Sequence, residues 1–153
     1  MNSSLEVPET DRCAFCDYLS GRRPFTILAM DDFVATLVTR EQRGIGHLLV
    51  MPIKHRETLL DLSPVEGSAV MASVIAAGRA IMDAYSPEGL AVWQNNGLPA
   101  HQTIPHVHFH VAGTLPDGGT DWGHVAEDSL AETEAIATRL RPFLRPKSGT
   151  SAP

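Results

Sequence analysis

Apolar and polar positions alternate most regularly over His106-Val107-His108-Phe109-His110-Val111. Successive side chains of a strand point to opposite faces, so this run predicts a strand with Val107, Phe109 and Val111 on a core face and three histidines on the other. At about 3.3 Å of rise per residue, neighbouring histidines stand roughly 6.6 Å apart. Residues 25–30 and 33–38 are β-branched and apolar, and Asp31-Asp32 splits them into a hairpin. A polar loop over 39–46 leads to a short buried strand, His47-Leu48-Leu49-Val50-Met51, which Pro52 ends. The helical period is clearest over Ser63–Tyr85. There Ser63 is a suitable N-cap, Pro64 fits the first turn, and Glu66 completes a capping box. Val70, Val74, Ala77 and Ile81 form its buried stripe. A strand over 89–94, a loop at Asn95-Asn96-Gly97-Leu98-Pro99 and a glycine-rich loop over 114–124 flank the histidine run. A second capping box, Ser129–Glu132, opens a C-terminal helix that stops before Pro142. Cys13–Leu19 has room for one helical turn. Antiparallel neighbours joined by one long helical crossover predict an α+β layer fold.

A chain of 153 residues fits a single domain with one core. The net charge of −6 argues against a general nucleic-acid binder but leaves room for a locally positive pocket that takes a nucleotide. No uninterrupted apolar run reaches the length of a membrane span. The opening residues Met1–Glu6 carry neither a basic nor an apolar signal segment, so the expected compartment is the cytoplasm. In a reducing compartment Cys13-Ala14-Phe15-Cys16 suggests a metal or redox role before a structural disulfide. No strand precedes the pair as a thioredoxin-type motif requires; a metal site, a redox pair and free thiols all stay open on the residues alone.

The run His106-Val107-His108-Phe109-His110-Val111-Ala112 resembles the His-φ-His-φ-His-φ-φ signature of the histidine triad (HIT) superfamily of nucleotide hydrolases and transferases. Asn95-Asn96-Gly97, placed shortly before Gln102-Thr103, is similar to that family as well. The likeness runs from about Cys13 to about Gly123. It implies a HIT-like five-stranded antiparallel sheet with one long helix and a C-terminal helix, in a single domain over 12–143, and a homodimer. The polar composition of the ends predicts flexible tails at 1–11 and 144–153, and the charge and the lack of a membrane-length apolar run predict no nucleic-acid or membrane partner.

Carried onto this sequence, the resemblance makes His108 the nucleophile toward the α-phosphorus of a nucleotide, purine by expectation. It makes His110 a donor to the phosphate oxygens. Asn95, Gln102 and Thr103 would lie around the phosphate and the leaving group, Thr103 with a hydroxyl and Gln102 with a donor near the scissile bridging atom. The implied activity is hydrolysis of nucleoside phosphoramidates or dinucleoside polyphosphates through a nucleotidyl-histidine. Transfer to phosphate or a sugar phosphate, and nucleotide binding without catalysis, are the alternatives. A branch of the family binds structural zinc through Cys-x-x-Cys, Pro-x-x-His and the first triad histidine. The matching residues are Cys13, Cys16, His55 and His106, which gives one Zn²⁺ per chain, closed to substrate.

Two departures from the family pattern stand out. His101 occupies a position that is often glycine, and is expected either to lean over the pocket mouth toward phosphate or to sit outside it. The strand ending at Val38-Thr39 lacks the acidic residue that often holds the ribose. Trp122 is expected in the core or an interface, and His47 in a solvated or structural role.

Overall fold

The computed structural model describes residues 5–144, so most of the expected C-terminal tail and the first four residues lie outside the described residues. Helix α1 covers Ala14–Leu19. It is followed by β1 (Ile27–Met30), β2 (Val34–Val38), β3 (Ile45–Pro52), α2 (Pro64–Tyr85), β4 (Leu90–Trp93), β5 (Phe109–Gly113) and α3 (Leu130–Leu140). The strands form one five-stranded sheet in the order β1-β2-β3-β5-β4, every pair antiparallel. The expected α+β architecture is therefore the observed one.

Local signals place α2 as the sequence requires. The Ser63 hydroxyl accepts from the Glu66 backbone N–H, and the Glu66 carboxylate accepts from the Ser63 N–H. Val70, Val74, Ala77 and Ile81 are all buried against the sheet. Although α2 is long and apolar enough to span a membrane by composition, this stripe packs it as a core helix. Gly78 lets it approach closely, since a Cβ there would stand 2.7 Å from Leu90 Cδ2. The box at Ser129 and Glu132 opens α3 in the same way.

Both faces of the sheet centre are covered. Val34, Val38, Leu48, Val50 and Val111 pack with α2 and α3, while Ala35, Leu37, Leu49 and Met51 pack with Phe15 of α1. This explains why β2 is buried throughout and β3 from Gly46 onward. The α1 side is the side on which the histidines converge.

One boundary differs from the alternation. Regular pairing on the histidine strand begins at Phe109, not at His106. The main chain before it is used elsewhere: His106 N–H donates to Ile104 O at 2.8 Å and Val107 N–H to Arg56 O at 2.7 Å. The side chains still alternate, with Val107 and Val111 wholly buried. At the N-terminal end, residues 5–11 have no regular structure, and the Glu6 carbonyl accepts from Leu98 N–H.

Candidate functional site

Strand register brings the site together. Leu49 and Trp93 pair with His110 from either side, and His47 lies two residues from Leu49 on the same strand. His47, His110 and Trp93 therefore converge on the face that α1 covers.

His108 is buried, and its Nδ1 lies 2.8 Å from the His106 carbonyl. A carbonyl only accepts, so this contact places the proton on Nδ1 and leaves Nε2 with its lone pair. Burial, countered only by this hydrogen bond, lowers the His108 pKa and keeps the ring neutral. The Phe15 ring meets it edge-on at 4.9 Å between centroids. His110 is also held neutral, first by burial and then by His108, His47 and Arg43.

A cavity of about 300 Å³ opens over these rings. Its wall is aromatic, with Phe15 and with Tyr18 stacked on Phe25 at 4.2 Å. Thr103, His108 and His110 also line it, and Arg23 and Arg40 contribute positive charge alongside Glu41 and Glu127. Thr39, where the acidic residue is missing, also lines it. The arrangement can seat a flat ring against aromatic side chains and an anion near imidazole and hydroxyl groups.

Three expected substrate residues are not among those lining this cavity. Gln102 is buried, and its amide is spent on the main chain. It donates to Glu57 O at 2.7 Å and Ile104 O at 2.9 Å, and accepts from Gly97 N–H at 2.7 Å. Asn95 donates to Ala100 O at 2.8 Å. Both shape the loop that carries Thr103. His101 is exposed and sits at φ 63°, the left-handed region, which accounts for glycine being favoured at such a position.

His47 is wholly buried rather than solvated. Its Nε2 lies 3.0 Å from His110 Nδ1, and its Nδ1 lies 3.1 Å from the Arg43 N–H and 3.0 Å from Glu41 O. The ring has two neutral tautomers. When Nδ1 accepts from Arg43, Nε2 donates to His110 and the His110 proton sits on Nε2. When Nδ1 donates to Glu41, the shared proton runs the other way. Only the strand register, which no local signal encodes, reveals this partner of His110.

Burial is the largest influence on His47 and holds it down to about 4 against an ordinary 6.5; Arg43 and His108 push the same way, while the Glu41 contact opposes. The unfolded chain therefore binds a proton at 6.5 that the folded chain takes only near 4. Its contribution to stability is complete above about pH 6.5 and is lost as the pH falls toward 4, a loss on the order of 2–3 kcal/mol. We expect the melting temperature of the wild type to fall between pH 7 and pH 4.5 more steeply than that of His47→Gln. Equal slopes in a thermal melt series would refute this.

On the other side of α1, Cys13, Cys16, His55 and His106 bring one ligand atom each within 4.8 Å of all the others. Cys13 Sγ and Cys16 Sγ lie 3.5 and 3.6 Å from His106 Nδ1, and Cys16 Sγ lies 3.4 Å from His55 Nδ1. A tetrahedral zinc with its usual Zn–S and Zn–N lengths needs ligand separations of about 3.3–3.8 Å. His106 Nε2 lies 2.8 Å from Pro52 O, which places its proton there and turns the Nδ1 lone pair toward the sulfurs. Burial, then Cys13 and Asp17, push the Cys16 thiol up to about 11, so this thiol stays protonated unless a cation shares it. The soft donor set fits zinc. A cleft of about 450 Å³, lined by Val7–Thr10, Cys13, Cys16 and His55, leads to the group.

Trp122 is 73% exposed, outside the core, with its ring 5.6 Å from that of Trp93.

The chain is similar to known proteins in sequence and in fold. The family profile of the HIT domain matches residues 21–116. Protein hit of Bacillus subtilis (strain 168) is 30% identical over 138 residues, 85% of this chain and 95% of that one. The adenosine 5'-monophosphoramidase hnt1 of Schizosaccharomyces pombe is 31% identical over 111 residues, 72% of this chain and 78% of its own. Among solved structures, a Zn-bound histidine triad family protein of Mycobacterium smegmatis superposes with a TM-score of 0.75 at 26% identity, covering 86% of this chain and 92% of that one.

Proposed function

The chain belongs to the HIT family, and from that premise we propose that it is a nucleotide hydrolase acting at the α-phosphate of nucleoside phosphoramidates or dinucleoside polyphosphates. The observation that carries the reading is the His108 ring: neutral, with Nδ1 tied to the His106 carbonyl and Nε2 left as a lone pair beside the cavity. In the first step Nε2 of His108 bonds to the α-phosphorus and the bond to the leaving group breaks. In the second, water displaces the imidazole and the nucleoside monophosphate leaves. Splitting the displacement in two lowers each barrier. His110 and Thr103 hold the phosphate oxygens, where positioning and charge stabilisation supply most of the catalysis. Asn95, Gln102 and His101 act through the loop that presents Thr103. A purine base stacks against Phe15, Tyr18 and Phe25.

Zinc, where it is bound by Cys13, Cys16, His55 and His106, supplies structural cross-linking and not Lewis-acid chemistry, because all four positions are protein ligands. The open β4 edge, with Leu90 and Val92 exposed, supports pairing of two copies into a homodimer.

The relative named as a monophosphoramidase favours water as acceptor and a P–N bond as target. The test is to incubate the protein with adenosine 5′-phosphoramidate and with diadenosine tetraphosphate, with and without phosphate. AMP in both conditions is expected. ADP formed only with added phosphate would instead make the protein a phosphorylase, and nucleotide binding without product would make it a binding protein.

A further inference from the structure

Trp93 is the last residue of the edge strand β4 and the cross-strand partner of His110. Its ring lies on the His110 imidazole with 4.7 Å between centroids and 4° between planes. No other ring pair among the described residues is as nearly parallel. The same imidazole is fixed at one edge by His47 at 3.0 Å. Two constraints at right angles therefore act on one ring: an in-plane hydrogen bond at Nδ1 and a face contact with the indole. A hydrogen bond alone leaves the ring free to rock about the Nδ1 contact, because the χ2 torsion of histidine is broad. A parallel aromatic neighbour removes that freedom.

Trp93 has an anchored neighbour of its own. The Trp122 ring, on the glycine-rich loop, lies 5.6 Å from that of Trp93 and is tilted by 54° to it. That loop is tied to Arg43, whose guanidinium donates to Asp121 O at 3.1 Å and Gly123 O at 2.8 Å, while Arg43 O accepts from Asp121 N–H at 2.7 Å. The Arg43 backbone N–H in turn reaches His47 Nδ1. Arg43 thus supports the His110 ring from both directions, through His47 in its plane and through Trp122 and Trp93 across its face.

We propose that Trp93 is a positioning residue for the reaction above: by stacking on His110 it holds that imidazole with Nδ1 on His47 and Nε2 turned to the phosphate site. The inference rests on the hydrolase reading for its catalytic consequence. Its structural half, the restrained ring, does not depend on that reading. Trp93 touches the imidazole and is not among the residues lining the cavity, so it acts through His110 and leaves substrate affinity largely untouched. A misplaced donor weakens the step in which charge moves, not the encounter with nucleotide.

The experiment compares full-length wild type, Trp93→Ala and Trp93→Phe, each with its metal. In the NMR spectrum of the histidine side chains, the His110 ring protons of the wild type are expected upfield, shifted by the indole above them. Trp93→Ala loses that shift and lowers kcat on adenosine 5′-phosphoramidate by about ten- to a hundredfold, with KM changed less than about threefold. Trp93→Phe, which keeps a stacking ring, recovers most of both. Trp93→Ala that retains the upfield shift, or retains kcat within about twofold, overturns the proposal. So does Trp93→Phe as impaired as Trp93→Ala, since the ring would then not be what matters. If the wild type turns over no nucleotide, the hydrolase reading fails. The shift and its loss then still decide whether Trp93 restrains His110.

Discussion

A His108→Ala chain is expected to lose turnover by at least about a thousandfold while still folding and still binding AMP. The ring is buried beside a cavity, and truncating it removes the only imidazole among the described residues that both has its tautomer fixed by a carbonyl and turns its Nε2 lone pair to that cavity. Its other neighbours contribute mainly to packing. Phe15 loses one edge contact and the His106 carbonyl loses a donor that pocket water can replace. Wild-type-like AMP affinity by calorimetry, a cooperative melt and no product would together establish His108 as the reacting group. A His108→Ala chain that melts without cooperativity would instead assign the residue to the core, and one that keeps its activity would move the nucleophile elsewhere.

The second large effect concerns the metal group. Purified protein is expected to carry about one zinc per chain, and Cys13→Ser to carry little. The melting temperature of Cys13→Ser should fall by about 5–15 °C, the range for a loss of about 2–4 kcal/mol in a domain of this size. The reason lies in how little else holds α1. It is six residues long, too short to be stable alone, and Cys13 and Cys16 flank the Phe15 that packs beneath His108. Releasing the sulfurs from His55 and His106 frees the element that forms one wall of the cavity, so AMP binding is expected to weaken in the same variant. A chelator should shift the wild-type melt and leave Cys13→Ser unchanged. Substoichiometric zinc together with an unchanged melt in Cys13→Ser would show that the four residues form a cluster of thiols and imidazoles with no metal.

Much of this was legible in the residues because the signals are local. Ser63 with Glu66 and Ser129 with Glu132 set the helix starts by hydrogen bonds within one turn. The alternation of His106, His108 and His110 with valine and phenylalanine set the faces of the last strand. The four metal-site residues could be assembled from the family likeness, and the fold places them together. What the sequence left open depends on register and on the use of main-chain groups. Ladder pairing starts at Phe109 because the amides of His106 and Val107 are committed to Ile104 and Arg56. The place of His47 in a run of apolar residues follows only from Leu49 standing opposite His110. Trp93 reads as one more apolar residue of a short strand until β4 is paired with β5. Gln102 has the residue type of a substrate contact, yet three main-chain partners claim its amide. Thr39 ends the strand that lacks the family's acidic residue, and it lies in the cavity lining.

A covalent bond between His108 and the nucleotide is the central step of the proposed reaction. The most direct measurement is rapid acid-free quenching of the enzyme with an adenylyl donor in the millisecond range, followed by peptide mass spectrometry under alkaline conditions that preserve phosphoramidates. Adenylate on the peptide containing His108, formed at least as fast as AMP appears and absent from His108→Ala, is the predicted result. AMP released with no adenylated peptide at any time, or adenylate found on His110 or His47, would contradict it.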